Sequence, residues 1–420
     1  MKKKYVVLEV PISSDYEAPS GSKQSFTVEK AVSWRANAGL LADDLALKGK
    51  STTTRANVLS VETLAPEDAR ERKKEGCVIY IAPVMPMRLI APIGRPKPAA
   101  RRVNLSWGIQ AVGAHTCEKW NGSGIVVAVL DTGIDAKHPA FKGVTFEHRN
   151  FTAEAADDQH GHGTHCAGTI FGRAVDGVRI GIAPGIERAV ICKVLGDGGG
   201  DSAQIASAIY WSLERGAHVI SMSLGLDFPG YVKQMIAQNY DVRHATSLAL
   251  EGYRANFLLF ERLAGVVRMH GLMPGAKPTL LIAAAGNESE ANGVNPFRIS
   301  VSPPAVSEGI ISVAAAGLKD KKWEIAPFSN SGAKVTGPGV DILSAQSGGG
   351  LVTMSGTSMA TPHVAGVAAL WAHQLRESDD WKTDTWIGRI IGGAGTLGFA
   401  EGTQPADRGA GMVCAPRSTD

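Results

Sequence analysis

The run Ile125-Val126-Val127-Ala128-Val129-Leu130 carries no polar side chain and ends abruptly at Asp131-Thr132-Gly133. A strand in which apolar and polar residues do not alternate is buried on both faces, and a sheet covered by helices on both sides provides that. The chain repeats the pattern. Ala189 to Leu195, His218 to Ser223, Thr279 to Ala285 and Ile310 to Ala316 are further buried strands, and Asp341-Ile342-Leu343 adds a short one. Segments of helical spacing, such as Ala203 to Arg215, lie between them. The expected fold is therefore α/β, a mainly parallel sheet with helices on both faces. In such sheets ligands bind beyond the carboxyl ends of the strands, where Asp131 falls.

The first hundred residues read differently. Lys4 to Val10 and Val58 to Leu64 are strand-like, Ala31 to Lys48 and Pro66 to Glu75 are helical, and Cys77 to Ile90 is a β-rich run. Pro83, Pro86, Pro92, Pro96 and Pro98 then extend the chain, and Arg95 to Arg102 makes it basic. A boundary near residue 100 is expected, separating a small α+β unit at 1–100 from a larger domain at 101–420. Between 227 and 270 a long connection with helical content, Leu248 to Val267, interrupts the strand series. It reads as a helical lid or partner surface, or as a tolerated surface insertion.

Charged residues are 20% of the chain, hydrophobic ones 44%, and the net charge is +3. That balance suits a large core and offers no nucleic-acid footprint. No stretch reaches the roughly 20 apolar residues of a membrane span, and Tyr5 to Leu8 is too short for a signal-peptide core, so a cytoplasmic location is expected. Five cysteines, Cys77, Cys117, Cys166, Cys192 and Cys414, are scattered without a CxxC pair and read as reduced thiols, neither a disulfide frame nor a zinc site.

Three more stretches place chemically capable side chains at chain edges. Ser358 lies in Gly356-Thr357-Ser358-Met359-Ala360-Thr361-Pro362 at the start of an apolar helix, where it is either a nucleophile seat or an ordinary capping serine. His160-Gly161-His162-Gly163-Thr164-His165 crowds three histidines into a glycine-rich turn, a catalytic base or a metal pair at 162 and 165. Asn287 follows Ala283-Ala284-Ala285-Gly286 at the end of a buried strand and is by itself a turn residue.

Asp131, His162 and Ser358 occur in the order Asp, His, Ser, and with Ser223-Leu224-Gly225 and Ala284-Ala285-Gly286-Asn287 between them the chain resembles the subtilisin-like serine proteases of the subtilase family. The run His165-Cys166-Ala167-Gly168 is similar to that of the proteinase K branch. The resemblance implies a serine endopeptidase in which Ser358 attacks a peptide carbonyl, His162 moves the proton and Asp131 holds the imidazole. It implies an oxyanion hole of the Ser358 amide and the Asn287 side chain. It further implies a cleft in which Gly198, Gly199 and Gly200 on one side and Ser223, Leu224 and Gly225 on the other, with Ala285 and Gly286, receive an extended peptide.

By the same resemblance residues 1–100 are a ferredoxin-like propeptide, an intramolecular inhibitor whose strand Leu89-Ile90-Ala91-Pro92 lies in the substrate cleft, so that the protein is made as a zymogen. Peptides and proteins are the expected partners, with no nucleic acid and no membrane. No cofactor is required. Calcium is possible, yet the family's usual tight site lacks support, because Gly172 to Gly177 and His138-Pro139-Ala140 offer few oxygens. Two other readings of the groove are a transpeptidase or macrocyclase, in which an amine resolves the acyl-enzyme, and a silent peptide-binding module.

Overall fold

The computed structural model describes residues 2–9, 58–98, 104–117, 119–273 and 275–417. At the N-terminus β1 (Lys3–Glu9), β2 (Leu59–Leu64) and β3 (Val78–Pro83) form an antiparallel sheet in the order β2-β1-β3. Helix α1 (Pro66–Arg72) opens with a proline and then Glu67 and Asp68, residues that suit the unpaired amides and positive end of a helix start. Arg72 closes it and binds Glu9 at 2.9 Å and Glu62 at 3.0 Å, tying helix to sheet. The helix expected at 31–48 lies outside the described residues. The β-rich run Cys77 to Ile90 is two strands, because Pro83 and Pro86 cannot donate to a ladder and the chain turns between them. The second, β4 (Pro86–Leu89), leaves the N-terminal sheet, and β5 (Lys97–Pro98) follows it.

The larger part continues with β6 (Val126–Asp131), β7 (Thr145–Asn150), β8 (Arg188–Lys193), β9 (Gly200–Asp201), β10 (Val219–Met222) and β11 (Leu224–Leu226). Then come β12 (Leu280–Ala284), β13 (Ile310–Lys319), β14 (Lys322–Ile325), β15 (Val335–Pro338), β16 (Ile342–Ala345) and β17 (Leu351–Met354). The main sheet runs β14-β13-β12-β10-β6-β8-β7, with β15 beside β13. Every pairing is parallel except the β13–β14 hairpin, as expected from the apolar runs. Strand β6 shows why such a run needs two covered faces. Val127 and Val129 enter one core, with Ile170, Val364 and Leu370, while Val126, Ala128 and Leu130 enter the other, with Ile205, Ile209 and Leu263.

Helix α2 is His162–Phe171 and α3 is Ser202–Glu214. The 227–270 segment folds as two helices, α4 (Phe228–Ala237) and α5 (Val242–His270), capped by Asp227 and Asp241. Buried residues Ala245, Ala249, Gly252, Asn256, Leu259, Leu263 and Val267 recur every three or four positions along α5, one apolar stripe on a helix of 29 residues. Helix α6 (Thr357–Glu377) is buried nearly all round. Its small residues permit this: a side chain at Gly366 would meet Ile182 at 2.5 Å. The short strand expected at 341–343 forms as β16 but not in the main sheet. It pairs antiparallel with β17, which in turn pairs with β5.

Candidate active site

Asp131 is the last residue of β6 and is 1% exposed. Its Oδ1 accepts from the Thr132 amide at 2.8 Å and lies 2.8 Å from Nδ1 of His162, the first residue of α2. The turn that delivers His162 is built around Asp158. That buried carboxylate accepts from the Thr132 hydroxyl and the Gly161 amide at 2.8 Å each, and from the Thr164 amide and hydroxyl at 2.8 and 2.6 Å. Gly161 takes φ 84°, which favours glycine, and a side chain at Gly163 would fall 2.1 Å from the Gly133 carbonyl. Sequence reading passed over Asp158. Its signal is an acidic residue placed to receive the free amides of a helix start.

Burial alone works against a charged His162. The Asp131 carboxylate beside it outweighs that penalty and holds the imidazole well above the ordinary histidine range. Burial leaves His165 neutral, at about 3, and His363 at about 4. His165 Nε2 meets the Ile342 carbonyl at 3.0 Å, so the histidines at 162 and 165 serve different partners and form no metal pair. Among the described residues, the one group of three metal-capable side chains is Asp131, His162 and Cys166. A carboxylate, an imidazole and a thiol do not suit calcium, which takes six to eight oxygens.

Ser358 stands in the first turn of α6. Four residues later comes Pro362, which has no amide proton to return to the Ser358 carbonyl. That carbonyl instead accepts from the Ser223 hydroxyl at 3.2 Å and the Cys166 thiol at 3.4 Å, linking the serine to the residue between β10 and β11 and to α2. Asn287 is fixed by its neighbour in α6. Its Oδ1 accepts from both the amide and the hydroxyl of Thr357, each at 2.9 Å, which leaves Nδ2 to face the cleft.

The cleft is filled by the chain's own strand β4. It pairs antiparallel with β11 (Leu89 opposite Leu224, Arg88 opposite Gly225) and with β9 (Met87 opposite Gly200). The Ile90 amide donates to the Ser223 carbonyl at 3.4 Å, and the Ser358 hydroxyl donates to the Ile90 carbonyl at 2.7 Å. Asn287 Nδ2 donates to the next carbonyl, that of Ala91, at 2.8 Å. Beyond Pro92, the Ile93 amide bonds the Ser355 carbonyl at 2.7 Å. With the serine hydroxyl turned to Ile90, His162 Nε2 is buried without a hydrogen-bond partner among the described residues.

Gly200, Leu224 and Gly225 pair with β4, and Ser223 accepts from the Ile90 amide that follows it. Gly199 lies under it, where a side chain would meet the Met87 carbonyl at 2.6 Å. Among the described residues Gly198, Ala285 and Gly286 make no ladder bond to the segment: Ala285 donates to Val313 and Gly286 to Thr357.

The model of the subtilase family matches residues 122–391. An intracellular serine protease of Paenibacillus polymyxa is 35% identical over 264 residues, 60% of this chain and 68% of that protein. A thermostable alkaline protease of Halalkalibacterium halodurans is 34% identical over 272 residues, 63% of this chain and 62% of its own length. Subtilisin BL of Lederbergia lenta is 34% identical over 276 residues, 64% of this chain and 84% of its own length. Among the described residues no helix is long and apolar enough to cross a membrane.

Proposed function

This chain belongs to the subtilase family and is a serine-type endopeptidase, and from that premise we propose that the form seen here is its self-inhibited precursor. Ser358 is the nucleophile, His162 the base that takes its proton and returns it to the leaving amine, and Asp131 the group that orients and supports the imidazolium. The Asn287 amide, pinned by Thr357, donates to the oxyanion. Subtilases need no cofactor for this chemistry. Residues 1–100 are the inhibitory region and 101–420 the peptidase.

One observation carries the reading: β4 is held between β9 and β11 with the Ile90 carbonyl 2.7 Å from Ser358 Oγ, as an extended peptide substrate adds to a sheet edge. The strand blocks without reacting because its contacts are split. Acyl transfer needs one carbonyl to face both nucleophile and oxyanion donor, whereas Ser358 bonds the Ile90 carbonyl and Asn287 that of Ala91. Pro92 follows at once and stiffens the segment against the one-residue shift that would align them. Processing is expected within 89–102, with Ile90–Ala91 the bond at the serine. N-terminal sequencing of the purified protein tests this. The Ser358→Ala chain should remain whole and the wild type should be cut in that interval; a wild type that stays whole yet fully active contradicts it.

A further inference from the structure

Arg88, two residues before Ile90 on β4, is gripped by two carboxylates from separate parts of the peptidase. Its Nη1 lies 3.2 Å from Asp227 Oδ1 and its Nη2 2.7 Å from Glu288 Oε1. Both acids are held in place independently of the arginine. Glu288 Oε2 accepts from Asn330 Nδ2 at 2.7 Å, and its amide donates to Asn330 Oδ1 at 3.2 Å. Asn330 is itself 1% exposed and anchored to the Ala285 carbonyl at 3.1 Å. Gly286 adopts φ 114°, and a side chain there would strike Asn330 Nδ2 at 2.2 Å and Glu288 Oε2 at 2.4 Å. Asp227 caps α4 through Gly230 at 3.1 Å and donates its amide to the Pro86 carbonyl at 3.1 Å, extending the ladder that holds β4. Around Arg88 the strand is apolar, with Met87 and Ile90 buried.

We propose that Asp227 and Glu288 form an acidic subsite that selects a lysine or arginine side chain at the third residue before the scissile bond of peptide substrates, the place Arg88 takes in the inhibitory strand. This rests on reading β4 as a substrate mimic with Ile90 adjoining the scissile bond. Arg88 is the only ion-pair partner of either acid among the described residues. When β4 departs, the two acids lose that partner together. A guanidinium, planar and with several donors, can bridge both carboxylates at once.

The test uses enzyme matured from the full chain by its own processing and three internally quenched peptides containing Met-Xaa-Leu-Ile-Ala, with Xaa arginine, alanine or glutamate. Comparing kcat/KM within one preparation cancels the concentration of active enzyme. For partly exposed pairs the arginine peptide is expected to exceed the alanine peptide roughly fivefold at low salt, with the advantage shrinking as salt rises. Glutamate should fall below alanine. Glu288→Gln and Asp227→Asn should each narrow the arginine-to-alanine ratio, and Glu288→Lys should raise the standing of the glutamate peptide. A wild-type ratio within about twofold of unity, or one the variants leave unchanged, overturns the subsite alone. Failure to cut any of the three, by enzyme that still cuts unrelated peptides, overturns the reading of β4 as a substrate mimic with it.

Discussion

Asn287 is positioned by Thr357, which holds its carbonyl oxygen and so aims its amide at the cleft. Asn287→Ala is expected to lower kcat by roughly 10²- to 10³-fold, the scale known for an oxyanion donor in subtilisin, with circular dichroism unchanged. Unaltered turnover removes Asn287 from the hole. His162 must be neutral to act as a base, and Asp131 holds its pKa above the ordinary value. Activity of the matured enzyme should therefore rise with pH through a midpoint above that of free histidine. The stability contributed by this pair has the opposite course, complete below the unfolded pKa and lost as pH rises through the folded one. Asp131→Asn should move the activity midpoint downward and cost roughly 10⁴-fold in kcat. A pH–rate profile with its midpoint at or below the ordinary histidine value contradicts the assignment. Asp131, His162, Asn287 and Ser358 were legible in the sequence because each stands where an apolar run begins or ends. Asp158 and Thr357 were not, since they act by bonding backbone amides and an amide oxygen that only the fold brings near.

At the level of elements, the segment 227–270 was visible as helical but not as a support. Helix α5 lies under β3, with Asn256 Nδ2 donating to the Pro83 carbonyl at 2.8 Å. Gly252 makes room for buried Met85, whose sulfur would lie 2.6 Å from a side-chain carbon there. Gly252→Leu would overpack that contact, at a cost of about 1–3 kcal/mol to the docking of the N-terminal sheet. The precursor should then lose hydrogen-exchange protection in β1 and β3 and hydrolyse small peptides faster; unchanged protection means α5 does not hold the region. The buried parallel strands could be read because a strand covered on both faces has no polar alternation. Strand β16 could not be assigned to its sheet, as three residues carry no information about which neighbour they pair with. The break within Cys77 to Ile90 was marked only by Pro83 and Pro86, and nothing local says that β4 joins β9 and β11.

Across the whole molecule, one chain supplies both a peptidase groove and the strand that fills it. The ladder pairing on two sides is that of a substrate, but the serine hydroxyl bonds one carbonyl and the asparagine amide the next. Two neighbouring carbonyls share what catalysis requires of one, and on the proposed reading this is how the active site holds its own chain intact. The most direct measurement follows serine-directed fluorophosphonate labelling and chain mass together during maturation of the purified full-length protein. Label should appear on Ser358 only as the mass falls by the inhibitory region, and Ser358→Ala should take none. Labelling of the uncut chain as fast as the cut one would contradict self-inhibition by β4.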